Sequence, residues 1–313
     1  KDFVAVMDEA RAIVKRLMKL GDDYEVLYLG GGASLQFAMV PFNLMKSENG
    51  KAAYLDTGTW AAGAIKEGKK FGTVDVVGSS KAENYSFIPK DYQVGNHYDY
   101  FHCTSNNTIY GTQMREFPNV DTLLVCDMSS DIFSRVIDFS QFDLIYAGAQ
   151  KNMGPAGSTL VVVKKEILGK TGRDIPSMLD YSLHIAKESM YNTPPVFPVY
   201  ASLLTLQHLE NNGGIEAAEA RNEAKAKLIY GEIDRNPLFE TFCIKEEEDR
   251  SLMNVSFKLI DESKKEEFDN AWKAAGISGL NGHRSLGGYR ASMYNAMTIE
   301  SVQILVDVMK NLK

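Results

Sequence analysis

The chain has 313 residues, enough for one large and one smaller domain. Its 44 % hydrophobic and 24 % charged content is that of an ordinary globular protein, and a net charge of −7 argues against a general nucleic-acid surface. No apolar run approaches the ~20 residues of a membrane helix, and three cysteines without a C-x-x-C pair predict reduced cytoplasmic thiols, with neither a disulfide framework nor a zinc site.

The first residues already read as a helix. Val4, Met7, Ala10, Ile13, Val14, Leu17 and Leu20 recur at helical spacing. Residue 1 is lysine, so a preceding piece is expected to be missing. "YEVLYL" predicts a strand, followed by Gly30-Gly31-Gly32 and a helix over Ala33–Met45. "AAYLDT" is a strand and Trp60–Lys70 a helix; "VDVVG", "YDYFHCT", "TLLVCDM", "DLIYAG" and "STLVVV" are further strands. This alternation predicts an α/β domain with a mostly parallel central sheet, whose ligands bind beyond the carboxyl ends of the strands.

Near Asn211 the texture changes. "ASLLTLQHLENNGG" closes a helix on two glycines, and an Ala/Glu/Lys-rich helix follows over Ile215–Asp234. "RSLMNVSFKL" reads as a strand, "KKEEFDNAWKAAG" and "TIESVQILVDVMKNLK" as helices. The expected division is a large domain over 1–213 and a small α+β domain over 214–313.

Five features carry possible chemistry. Lys151 follows the apolar run Leu144–Ala147 and precedes Gly154-Pro155-Ala156-Gly157. A lysine in a partly apolar pocket is more readily neutral, and a neutral amine can form a Schiff base with an aldehyde; the plain alternative is a loop lysine in water. Asp127 ends "LLVCD", where a carboxylate could keep a pyridinium nitrogen protonated, or simply cap the turn through Ser129-Ser130. Asp131 is the competing carboxylate. "LGGGASLQF" offers free backbone N–H groups to an anion. It fails the dinucleotide fingerprint, since Leu35 replaces the last glycine, and it lacks the lysine of a P-loop. Trp60, just after a strand, is either a stacking plate or a core residue. His283, Arg284 and Arg290 lie among glycines in what reads as a flexible basic loop, suited to carboxylates and phosphates unless it is only a solvated surface. Together an amine, a carboxylate, a phosphate cradle and an aromatic plate match the needs of pyridoxal 5′-phosphate.

The motifs "GGGASLQFAMVPFNL", "DTGTWAAGAIKEGKKFG", "DMSSDIFSR", "YAGAQKNMGPAG", "NTPPVFPVY" and "GHRSLGGYRASMYNAM" occur in an order that resembles the phosphoserine aminotransferases. That family belongs to class V of the fold-type I aminotransferases. The resemblance implies that Lys151 bonds the cofactor aldehyde and shuttles the substrate proton. It implies that Asp127 pairs with the ring nitrogen, that Trp60 stacks on the ring, and that Thr108 and Gln150 hydrogen-bond around it. Ala33 and Ser34 would hold the cofactor phosphate, reached by Asn192 and Thr193 of a second subunit in a homodimer with shared sites. Arg290 would grip the substrate α-carboxylate, and His283 and Arg284 its distal anion across the interface. The implied reaction interconverts O-phospho-L-serine and 2-oxoglutarate with 3-phosphohydroxypyruvate and L-glutamate. Nothing in the resemblance calls for a metal, a nucleic acid or a membrane. In the family a Ser-His-Arg-Ser stretch and a further arm precede the position of Lys1, so the resemblance implies reduced activity for the chain as it stands. Other class V aminotransferases, a cysteine desulfurase, a binding protein without chemistry and a dehydrogenase are the competing classes.

Overall fold

The computed structural model describes residues 2–243 and 247–312. Its first part alternates helices and strands: α1 (Asp2–Met18), β1 (Tyr24–Leu29), α2 (Gly32–Leu44), β2 (Lys51–Asp56), α3 (Thr59–Gly68), β3 (Thr73–Ser79), β4 (Tyr100–Thr104), the short pair β5 (Asn106–Asn107) and β6 (Thr112–Gln113), β7 (Leu123–Asp127), β8 (Leu144–Gly148), β9 (Thr159–Lys164), α4 (Tyr181–Ala186) and α5 (Val196–Asn211). Seven of these strands form one sheet in the order β1-β9-β8-β7-β4-β2-β3. The pairs β3–β2, β2–β4, β4–β7 and β7–β8 are parallel, and only β9 runs against its neighbours β8 and β1.

Apart from the edge strand β3, whose residues are exposed or half-buried, both faces of this sheet are buried, which is why its strands read as continuous apolar runs. Successive side chains alternate between the faces. Val26, Tyr28, Phe101, Cys126 and Ile145 face a core shared with Met7, Ala10 and Val14 of α1 and Val199 and Leu206 of α5. Leu27, Tyr54, Tyr100, Val125 and Tyr146 face a second core with Phe37 and Val40 of α2 and Ala64 of α3. Because β9 is antiparallel to both neighbours, β1 runs in the same direction as β8. The carboxyl ends of β1, β2, β4, β7 and β8 therefore open onto one edge.

The second part contains α6 (Gly214–Arg235), β10 (Phe239–Thr241), β11 (Asn254–Leu259), α7 (Lys265–Ala274), β12 (Tyr289–Ser292) and α8 (Ile299–Asn311). β10, β11 and β12 form an antiparallel sheet. Phe257 and Tyr289 of that sheet pack with Ile229, Phe268, Trp272, Val302 and Met309 from the three helices. α6 serves both parts: Ile215 and Ala218 enter the core of the large sheet, while Ala226, Ile229 and Ile233 enter the small one.

One sequence expectation is corrected. Arg290 does not ride on a flexible loop; it lies on β12, paired in register with Ser256 of β11. Flanking Gly287 and Gly288 hide this strand in the sequence, because its period-two pattern has only Tyr289 and Ala291 as buried members.

Candidate active site

The edge onto which the parallel strands open contains a cavity of about 140 Å³, lined by residues from five separate stretches of the chain. The first stretch is the turn from β1 into α2. Gly31 (φ +91°) and Gly32 (φ +67°) are successive left-handed residues, a conformation glycine adopts without a Cβ penalty. They start α2 abruptly, and no side chain caps it. Gly32, Ala33 and Ser34 border the cavity, so the first turn of α2, with its orphan N–H groups and the positive end of the helix dipole, lies at it. The second stretch contributes Trp60, in the first turn of α3. It is 43 % exposed, so it is no core tryptophan.

The third and fourth stretches end β4 and β7. Thr104 and Asp127 are register partners on these adjacent strands. Asp127 is 4 % exposed, and its Oδ1 accepts from Ser129 N at 2.9 Å and Ser129 Oγ at 2.6 Å. The carboxylate thus does cap the following turn, while also bordering the cavity. Burial raises its pKa; the Ser129 hydrogen bonds and the Lys151 charge oppose that shift. Thr104 is 2 % exposed, and its Oγ1 is buried with no hydrogen-bond partner. Asp131 is fully buried outside the cavity, held by Ser105 Oγ, by Gln113 Nε2 at 3.0 Å and by Arg135 Nη2 at 3.5 Å.

The fifth stretch follows β8 and carries Gln150 and Lys151. Lys151 Nζ donates to Thr108 Oγ1 at 3.3 Å. Burial lowers the lysine pKa, the nearby Arg290 charge lowers it further, and Asp127 acts in the opposite sense. The result is an amine with an enlarged neutral, nucleophilic fraction a short way from a buried carboxylate.

The remaining expected residues are placed differently. Arg290 reaches the Lys151 region electrostatically from the small sheet, with its Nε buried and unpartnered. His283 and Arg284 sit on the loop before β12, away from the cavity; Arg284 is exposed, and His283 Nδ1 pairs with Ser285 Oγ at 2.7 Å. Asn192 and Thr193 are exposed just before α5 and also do not border it. Thr104, Phe37 and Asn106 line the cavity without having been singled out from the sequence. The position of Thr104 at a strand end was the available signal. A larger cavity of about 700 Å³ lies beyond Lys151, between α5, α6 and residues 295–300. Among the described residues no cluster of three or more His, Cys, Asp or Glu is placed to hold a metal.

Comparison with known proteins adds an independent line. The family profile described as "Aminotransferase class-V" matches residues 1–305. A phosphoserine aminotransferase of Flavobacterium psychrophilum is 69 % identical over all of this chain and 87 % of its own length. One of Parabacteroides distasonis is 58 % identical over 99 % of this chain and 86 % of its own. The solved phosphoserine aminotransferase of Bacillus circulans subsp. alkalophilus superposes with a TM-score of 0.95 at 42 % identity, covering all of this chain and 87 % of that one. A structure of the Trichomonas vaginalis enzyme, described as bound to PLP, gives 0.92 at 34 % identity, covering 99 % of this chain and 89 % of that one.

Proposed function

Because the chain belongs to the class-V aminotransferases, and within them to the phosphoserine aminotransferases, we propose that Lys151 and Asp127 are the working pair of a pyridoxal-phosphate-dependent transamination. The reaction moves an amino group between O-phospho-L-serine and 2-oxoglutarate, giving 3-phosphohydroxypyruvate and L-glutamate in serine biosynthesis. The observation that carries this reading is the meeting of a pKa-lowered amine, a buried carboxylate and an uncapped helix start in one small cavity.

The residues present fit the cofactor. The uncapped N–H groups at Ala33 and Ser34 suit a phosphate, and the buried, unpartnered Thr104 hydroxyl leaves a polar contact open on the cavity floor. When bound, pyridoxal phosphate supplies an aldehyde for the substrate amine and a ring that withdraws electrons from the substrate Cα. Asp127 would hold the proton on the ring nitrogen by charge-assisted hydrogen bonding. Trp60 would cover one ring face and exclude water, with Thr108 and Gln150 fixing the ring's edge. Lys151 Nζ, in its neutral form, would take the proton from the substrate Cα and deliver it, on the same side, to the cofactor's former aldehyde carbon. Arg290 would meet the α-carboxylate with a planar fork.

His283, Arg284, Asn192 and Thr193 lie off the chain's own cavity, which favours their service in the site of a second copy. The outer face of α5 supports a homodimer: Phe197 is 70 % exposed, Tyr200 46 % and Leu204 47 %, at helical spacing. A large domain over 1–213 and a small one over 214–313, with α6 shared between their cores, is the division these cores favour. No described helix is long and apolar enough to cross a membrane. The free, buried thiols of Cys103 and Cys126 favour the cytoplasm. Borohydride reduction of the cofactor-loaded protein, followed by peptide mapping, tests the central assignment. The expected label is on Lys151; a label on any other lysine overturns it.

A further inference from the structure

The wall of the 700 Å³ cavity contains a cation that the reaction above does not use. Lys225, on α6, is 1 % exposed. Its Nζ donates to Met293 O at 2.9 Å, Tyr294 O at 3.0 Å and Met297 O at 2.9 Å. An ammonium has three protons, and here three carbonyls of one short strap accept them. That strap is the continuation of β12, the strand that carries Arg290.

Asn295, inside the same strap, reaches the two loops of the site. Its backbone N–H donates to Asn152 Oδ1 at 2.9 Å, one residue beyond Lys151. Its Nδ2 donates to Phe133 O at 2.9 Å, in the segment that follows Asp127. Its Oδ1 accepts from Asn222 Nδ2 at 2.8 Å, one turn before Lys225 on α6. Asn152 closes the circuit by donating to Ile132 O at 3.0 Å. Phe133 is held at φ +56°, a left-handed conformation that a bulky residue keeps only where its surroundings enforce it.

We propose that Lys225 and Asn295 form a positioning clasp that sets the Lys151 loop, the segment after Asp127 and the Arg290 strand at their working separations. The proposal rests on the transaminase reading of Lys151 and Asp127. Lys225 does not touch the reacting atoms; it acts through Asn295. A buried cation is a costly way to fill space, and an apolar side chain of equal length would pack there more cheaply. Burial, and after it the Arg221 charge, pushes the Lys225 pKa down to about 8. What the ammonium supplies and an apolar group cannot is a fixed point for three carbonyls. Proton transfer depends steeply on such placement, because a shift of about 1 Å in a reacting group can cost on the order of a hundredfold in rate.

The test uses the cofactor-loaded protein and three variants: Lys225→Met, Asn295→Ala, and Lys227→Met as a control on the exposed face of α6. For each, melting temperature, cofactor dissociation constant, the pH midpoint of the bound cofactor's absorbance, kcat and KM are measured. Lys225→Met is expected to fold, to shift the absorbance midpoint and to lose about ten- to a hundredfold in kcat. Asn295→Ala should do the same with Lys225 intact, and Lys227→Met should match the parent. The clasp is overturned if both site variants keep the parent midpoint and kcat, or if they lose only melting temperature. It is equally overturned if neither folds, since the network is then purely structural. A parent protein with no Lys151-linked absorbance would instead refute the transaminase reading and leave the two failures distinguishable.

Discussion

The strand-end floor and the basic loop are held in opposite ways. Asp127 and Thr104 lie buried on neighbouring parallel strands, and Lys151 follows a third within the same sheet. His283 and Arg284 lie on a loop whose root is a Gly282 N–H to Gly288 O hydrogen bond of 2.8 Å, and Arg284 is exposed. The difference suits the work proposed for each. Holding and moving a proton requires reacting groups placed within a fraction of an ångström, which rigid strands provide. Attracting a distal anion that is alternately a phosphate and a carboxylate needs only charge at roughly the right distance. A loop suffices for that, and adapts to both.

The hardest test of the floor is removal of its amine. Lys151→Ala should lower turnover by on the order of 10²–10⁴ and abolish the reducible cofactor linkage, as measured by steady-state kinetics and borohydride mapping. Retention of near-parent turnover would dissolve the distinction between floor and loop. The two carboxylates should then separate by readout. Asp131→Asn breaks a buried pair with Arg135 and should cost about 3–5 kcal/mol in denaturant unfolding. Asp127→Asn should slow proton abstraction strongly and leave unfolding little changed at low pH. Its pH signature has a definite sign. The folded-state pKa of Asp127 is raised, so the folded apoprotein binds its proton more tightly than the unfolded chain. That contribution is full at pH below the unfolded value near 4 and is lost as pH rises through the raised folded value. Asp127→Asn should remove this slope from the apoprotein's stability profile; an unchanged slope would place the shifted proton elsewhere.

The floor was also the more legible region. Parallel strands buried on both faces announce themselves as apolar runs, and Asp127 and Lys151 stand out where such runs stop. The small sheet was less legible because β10 and β12 have only three and four residues, too few for a period-two signal. Arg290 was accordingly read with its neighbouring glycines as loop. Thr104 carried no mark beyond its place at a strand end, since a hydroxyl matters only once the register of β4 on β7 sets it beside Asp127. Lys225 was the least legible, because a lysine in an Ala/Glu/Lys-rich helix reads as solvated charge until the 293–297 strap is folded over it.

The loop is tested by its charge. Arg284→Ala should raise KM for phosphoserine by about ten- to over a hundredfold, the cost of one lost charge-assisted contact of roughly 1.5–3 kcal/mol. The floor should be untouched, with the cofactor linkage and its absorbance unchanged. If Arg284 serves the partner's site, mixing Lys151→Ala and Arg284→Ala subunits should regenerate one intact site in each heterodimer, and activity should partly return. No recovery despite verified subunit exchange would assign Arg284 to its own chain's site.

The smallest expected effect refines the floor itself. Thr104 Oγ1 is buried without a partner in the protein alone, so its desolvation is uncompensated there. Thr104→Val replaces the hydroxyl with a methyl and should leave the apoprotein as stable as the parent, or slightly more so. A cofactor seated in this cavity should give the same hydroxyl a polar neighbour, and its loss should then cost about 0.5–1.5 kcal/mol, or roughly two- to twelvefold in the cofactor dissociation constant. Thr104→Ser keeps the hydroxyl and drops the methyl, so it should hold the cofactor nearly as the parent does while losing some apoprotein stability. The opposite signs in the two measurements separate hydrogen bonding from packing. If Thr104→Val binds the cofactor as tightly as the parent while Thr104→Ser does not, the residue serves the floor through its methyl alone. The polar contacts of the site would then end at Asp127, Thr108 and the start of α2.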